Sequence, residues 1–303
     1  MPVRVLGCSI ACDRPLPAAA LPDDEPVDVV VEGGFEPMPP AAWIGSEDWP
    51  RITLDADGAT LWFDGDAVFR LEPRRRTIAY QLLSDLDDQT FAHELVDAVL
   101  PRYLALRGDH VLHGSSVGGR TGALVLVGSS GAGKSTLAAS LVAAGWQLLG
   151  DDAAVVLSIH GVDHVVPSGT SLRLYTDAAN AAFDSLPQLG PPMAYWSSKR
   201  LLSPMDNALP TAQQPLLLRA VVELLEGTGS PSLIRLDGGA SFELLARSSF
   251  DLPDDTVMAG LRLLERWAPL AGRVECYRLV RRFDLDALRD IGDVLRPLLD
   301  GPS

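Results

Sequence analysis

The chain has 303 residues, 47% of them apolar and 21% charged, enough to close the core of one large domain or two modest ones. Forty acidic against 25 basic residues give a formal net charge of −15, a surface that repels phosphate backbones and anionic lipid, so neither nucleic acid nor a membrane is expected as a partner. No apolar run reaches the roughly 18–20 residues of a bilayer span and the start, MPVRVLGCSIACDRPLP, lacks a secretory signal's long apolar segment, so a cytoplasmic protein is expected.

Up to about residue 85 the chain reads as β-rich. The runs VDVVVEGG, RITLDAD, ATLWFDGD, AVFRLEP and TIAYQLL alternate or are β-branched and are separated by Gly, Asp and Pro turns, with LPAAALPDDEP and EPMPPAA as loops. Cys8 and Cys12, like the distant Cys276, lack the partners of a zinc site or a disulfide framework and are expected as free thiols. From Asp88 to Leu106, Phe91, Leu95, Val99, Tyr103 and Leu106 recur at helical spacing, and Pro101 should kink or divide that helix. This gives a β-rich domain with a linking helix over residues 1–100 and an α/β domain over residues 101–303.

The second part alternates strands with helices. HVLHGSSV and GALVLVG read as strands joined by the turn GGRTG, and KSTLAASLVAAG as a helix ending at Gly145. WQLLG, AAVVLSI, DHVVPSG, LRAVVELLE, SLIRLD and VECYRLVRR read as further strands. DDTVMAGLRLLERWAPL and DLDALRDIGDVLRPLLD read as helices capped by aspartate.

Between the strand GALVLVG and its helix lies GSSGAGKST, in which Gly128, Gly133, Lys134 and Ser135 satisfy G-x-x-x-x-G-K-[ST]. The backbone of Gly128, Ser129, Ser130, Gly131, Ala132, Gly133 and Thr136 can cradle phosphate oxygens at the helix N-terminus. Lys134 can reach the terminal phosphates and the Ser135 hydroxyl can ligate Mg²⁺. Bound ATP and Mg²⁺ are therefore expected.

Two further features flank the loop. If the GGRTG turn centres on Arg120, His113 pairs with Val127 at the loop entrance, with His110 two residues behind as a weaker candidate. Downstream, a helix of about 16 Å returns through WQLLG and delivers Asp151 and Asp152 to the same sheet edge, if that strand is parallel to GALVLVG. Such a carboxylate pair can divide metal holding from proton acceptance.

His113 in HGSSV, the loop GSSGAGKST and the pair Asp151-Asp152 in GDD together resemble the catalytic domain of bacterial HPr kinase/phosphorylase, among the P-loop kinases related to phosphoenolpyruvate carboxykinase. The resemblance covers residues 105 to 180. It implies a kinase in which His113 supports the acidic centre, Asp151 is the base that activates a serine hydroxyl, and Asp152 helps hold the metal. The acidic glycine-rich stretch tied to phosphorolysis in that family has no counterpart between Ser168 and Asn207, so efficient phosphorylase activity is not implied. The wider HPr-kinase-like set includes enzymes that phosphorylate a serine of a precursor peptide.

The expected function is thus ATP- and Mg²⁺-dependent transfer to a serine of a peptide or small protein. Arg173, Lys199 and Arg200 are candidates for neutralising the transferring charge. The alternatives are a small-molecule kinase, with the first domain as substrate lid or homo-oligomer surface, and a nucleotide-binding regulatory protein with little turnover.

Overall fold

The computed structural model describes residues 1–37, 50–169, 171–252, 257–285 and 288–300. Its first sheet has seven strands: β1 Val3–Val5, β2 Cys8–Cys12, β3 Val29–Gly33, β4 Arg51–Leu54, β5 Ala59–Phe63, β6 Ala67–Glu72 and β7 Thr77–Leu82. Strands β4 to β7 form an antiparallel meander, and β3 joins it parallel to β7 with β2 and then β1 outside. In β5, Ala59, Leu61 and Phe63 are buried while Thr60 and Trp62 between them are less so, the period of a half-covered strand. Beyond the expected strands, the sheet includes β1 and β2, which are too short to announce themselves by pattern. All three cysteines are free. Most of EPMPPAA lies outside the described residues.

The expected helix begins as α1, Asp88–His93, where the Asp87 side chain caps the first turn by accepting from the Thr90 N–H. It widens into a π-turned segment over Glu94–Val99 and continues as α2, Leu100–Arg107. Pro101 explains the widening: it has no N–H, and its ring would collide with the carbonyl of Asp97 in an ordinary turn. The expected kink is thus a loosened turn, and it carries Glu94 and Asp97 inward.

The second sheet has eight strands: β8 His110–Gly118, β9 Ala123–Val127, β10 Gln147–Gly150, β11 Ala153–Ile159, β12 Val162–Val165, β15 Leu216–Glu226, β16 Ser232–Arg235 and β17 Glu275–Arg281. A separate ribbon pairs β13, Leu172–Leu174, with β14, Arg200–Leu202. The helices are α3 Lys134–Ala143, α4 Thr176–Ala182, α5 Gly238–Arg247, α6 Val257–Ala271 and α7 Leu288–Asp300. The aspartate caps expected for α6 and α7 fall at least partly outside the described residues.

Strand β9 is buried on both faces, which is why GALVLVG has no polar alternation. Leu124 and Leu126 pack with Leu137 and Leu141 of α3 and Leu295 of α7; Val125 and Val127 pack with Leu244 of α5 and Trp267 of α6. The sheet is therefore the middle of three layers. A further cluster runs from Leu61 and Phe69 through Leu95 and Tyr103 to Val111, Val155 and Phe250, so the linking helix fills the space between the two sheets.

One expectation about register holds and one changes. Strands β9 and β10 both run antiparallel to β8, on its two sides, so they are parallel to each other as expected. Val127 faces Gly114 rather than His113, and His113 faces Ala153. The cause is the turn: the Gly119 N–H donates to the Gly122 carbonyl, so the hairpin centres between Arg120 and Thr121 and not on Arg120.

Candidate active site

Strand β8 is flanked on one side by β9 and on the other by β10 and β11, which follow one another along it in one register from Gly150 onward. Strand β9 ends at Val127 opposite Gly114, and on the other side the Gly114 N–H donates to the Asp152 carbonyl. The glycine-rich loop that follows Val127 and the pair Asp151-Asp152 between β10 and β11 therefore meet across β8 at Gly114.

Gly128, Gly131 and Gly133 have φ of 144°, 82° and 79°, backbone that side-chain-bearing residues rarely adopt. A Cβ on Gly133 would also lie 2.7 Å from the Arg281 guanidinium. Helix α3 starts at Gly133 without a side-chain cap, leaving its first-turn N–H groups to the loop. Lys134, 7% exposed, donates from Nζ to the carbonyls of Gly128 and Ser129 at 2.9 and 3.2 Å. Burial lowers its pKa, and the Asp152 and Asp151 carboxylates pull the other way.

The two aspartates differ. Asp151 is 1% exposed; its Oδ1 accepts from Ser115 at 2.5 Å and from Ser135 at 2.9 Å, and its Oδ2 accepts from the Arg173 N–H at 2.9 Å. Burial first, and the neighbouring Asp152 charge second, raise its pKa. Asp152 sits at φ 65°, a left-handed conformation that Asp tolerates, and its side chain stays 20% exposed beside the Arg173 Nε at 3.4 Å. Its orientation leaves it open to an incoming molecule.

His113 packs edge-on against Phe250 with ring centroids 5.4 Å apart. Burial and then Lys134 lower its pKa against the pull of Asp152 and Asp151, so the imidazole is neutral at neutral pH. His110 is a packing residue: its Nε2 donates to the Arg266 carbonyl at 2.9 Å and its ring meets Trp267.

The three proposed cations separate. Arg173 is 5% exposed and ion-paired with Asp97 through Nε at 3.0 Å and through Nη2, with Nη1 on the Ser171 carbonyl at 2.6 Å. Burial alone would lower its pKa, but Asp97, Asp152 and Asp151 together raise it. It is the fixed hub of the acidic centre. Lys199 lies over the Tyr175 ring at 5.7 Å, close enough for its charge to lower the Lys134 pKa. Arg200 pairs with Leu174 and Leu201 with Arg173, so Arg200 is on the ribbon face opposite to Arg173.

Ser115, Asp97 and Arg281 also belong to this neighbourhood and carry no motif. Ser115 is one of two serines in HGSSV, and Asp97 is an acidic position in a long helix. Arg281 ends β17, which runs parallel to β15 as β9 does, so all three end on the same edge. It is 3% exposed and donates from Nη2 to the Ala132 carbonyl at 3.2 Å, with no hydrogen-bond partner for Nε among the described residues. Burial lowers its pKa. A basic residue closing a strand parallel to the loop strand is the signal that could have found it.

Among the described residues no group of three or more His, Cys, Asp or Glu is arranged to hold a metal by itself, and no helix is long and apolar enough to cross a membrane. Mg²⁺ needs no such group, because it is ordinarily held by one or two carboxylates together with substrate phosphates. The hydroxyl of Ser135 against the Asp151 carboxylate, directly behind the loop, is a donor set of that kind.

No protein-family model matches the chain, and no curated protein matches it. Among solved structures it is similar to the HPr(Ser) kinase/phosphatase from Coxiella burnetii, at 12% identity over 63% of this chain and 88% of that one, with a TM-score of 0.34.

Proposed function

We propose that the chain is an ATP- and Mg²⁺-dependent kinase that transfers the γ-phosphoryl group to a serine hydroxyl of a peptide or small protein. The observation that carries this reading is the convergence of the glycine-rich loop and two unlike aspartates across β8 at Gly114. Phosphoryl transfer consists mainly of positioning and charge stabilisation, and these groups supply both.

In this reading the loop N–H groups and Lys134 bind the phosphates, with the ammonium exchanging the Gly128 and Ser129 carbonyls for phosphate oxygens. Ser135 and Asp151 hold Mg²⁺, which when bound neutralises charge on the phosphates. Asp152, the more exposed carboxylate, accepts the proton of the acceptor hydroxyl. This reverses the division implied by the resemblance, because Asp151 is occupied by three donors and faces Ser135. Neutral His113 packs behind the pair and limits its solvation.

The test is incubation with γ-labelled ATP, Mg²⁺ and serine-containing peptides. Label should appear on peptide serine with the wild type and disappear with Lys134→Ala. Tight ATP binding without acceptor-dependent loss of the γ-phosphate would overturn the reading, as would label reaching only metabolites.

Arg281 gives a second prediction. Its guanidinium carries a positive charge against the loop, donates to the Arg282 and Ala132 carbonyls and lies over the Phe283 ring, so Arg281→Met should raise the KM for ATP by about tenfold, the equivalent of about 1.4 kcal/mol. Steady-state kinetics against ATP, with the peptide saturating, would check it.

A further inference from the structure

Away from the phosphate loop, Asp64, Asp66, Tyr195 and Trp196 line a pocket of about 250 Å³. Asp64 is ion-paired with Arg51. Asp66 is 6% exposed and accepts from the Tyr195 hydroxyl at 3.1 Å, with no cationic partner among the described residues. Behind it lies Glu94, 1% exposed, whose two oxygens meet no donor and which faces the Asp66 carboxylate. Burial, and then the Asp66 charge, push Glu94 up to about 9. Two buried carboxyl groups thus face each other with no cationic partner among the described residues.

The opposite wall is aromatic. Tyr195 and Trp196 are 68% and 45% exposed, unusual for residues of this size. A carboxylate on one side and indole and phenol rings on the other suit an organic cation, which gains both an ion pair and contact with ring faces. A compact metal ion would gain nothing from the rings.

The pocket is tied to the catalytic centre. The Trp196 ring meets His93, whose Nδ1 bonds Asp97 at 2.6 Å, and Asp97 holds Arg173. Three residues beyond Trp196, Lys199 reaches the neighbourhood of Lys134. The segment that lines the pocket therefore also reaches the phosphate loop.

We infer that the pocket of Asp64, Asp66, Tyr195 and Trp196 recognises an arginine or lysine side chain of the acceptor peptide, a specificity device that rests on the kinase reading above. The cation enters between the rings and pairs with Asp66, relieving the unbalanced carboxyl pair.

The test uses fluorescein-labelled Ala/Gly peptides carrying one Ser and one Arg at separations of one to five, each matched by a peptide with citrulline, which is neutral and nearly the same shape. Binding is read by anisotropy without nucleotide, so a failure of phosphoryl transfer leaves this result standing and the reverse. Wild type should bind the best arginine peptide at least tenfold more tightly than its citrulline match, and Asp66→Asn and Trp196→Ala should abolish the difference. Tyr195→Phe, which removes an exposed hydroxyl, should reduce it and reports on the same pocket if Asp66→Asn does not fold. Equal binding of the two peptides, or an arginine preference that survives these substitutions, overturns the inference. Spermidine displacing every arginine peptide at lower concentration than the peptides themselves bind would assign the pocket to free polyamines and overturn the peptide assignment.

Discussion

Asp152→Asn is expected to lower the single-turnover rate of phosphoryl transfer by about 10²–10⁴-fold, the usual worth of a general base, while leaving ATP affinity unchanged. Asparagine has the same shape and tolerates φ of 65°, so the backbone carbonyl of residue 152 can still accept from the Gly114 N–H. Asp151→Asn should behave differently. Its Oδ1 accepts from two hydroxyls and its Oδ2 from a backbone N–H, and an amide nitrogen turned towards any of these replaces an acceptor by a donor. The loss should appear as a raised Mg²⁺ requirement, with part of the rate recovered at high Mg²⁺. Quenched-flow rates across a Mg²⁺ titration separate the two variants. If Asp151→Asn lowers the rate at every Mg²⁺ concentration and Asp152→Asn only shifts the Mg²⁺ dependence, the roles are exchanged.

The parts of this site that could be read from the sequence are those whose chemistry is local. GSSGAGKST states its own conformation, because three positive-φ positions fall on glycine and the flanking strand and helix are continuous in sequence. The aspartate pair follows from one short crossover. The pairing of His113 was misjudged by one residue because the turn was centred on Arg120, whereas the hairpin centres between Arg120 and Thr121. That β10 and β11 line the other side of β8 is a long-range pairing that no hairpin rule contains. Arg281 and Asp97 reach the site from distant strands and helices. The partners of Arg173 were not legible either, because Asp97 and Asp152 are brought to it only by the widened turn before Pro101 and by the join between β10 and β11.

Arg173→Met should lower the stability of the whole chain by about 3–5 kcal/mol, the cost of leaving buried charge without its partner. The guanidinium holds Asp97 through two nitrogens and lies beside Asp152, and its neighbour Asp151 is almost wholly buried. Methionine fills much of the volume but leaves the Asp97 and Asp152 carboxylates facing a buried apolar side chain. Asp151, whose pKa burial raises against the pull of the Arg173 charge, would be raised further above its unfolded value. The unfolded state releases this proton near pH 4 and the folded state only later, so the penalty grows as pH rises from about 4 towards neutrality. Urea unfolding at pH 5 and pH 7.5 should therefore show a larger difference from wild type at the higher pH. Arg173→Lys should recover only part of it, because an ammonium cannot make the paired contact with Asp97. If Arg173 acted instead as a charge aimed at the transferring phosphoryl group, Arg173→Met would cost turnover and leave the unfolding curves unchanged at both pH values.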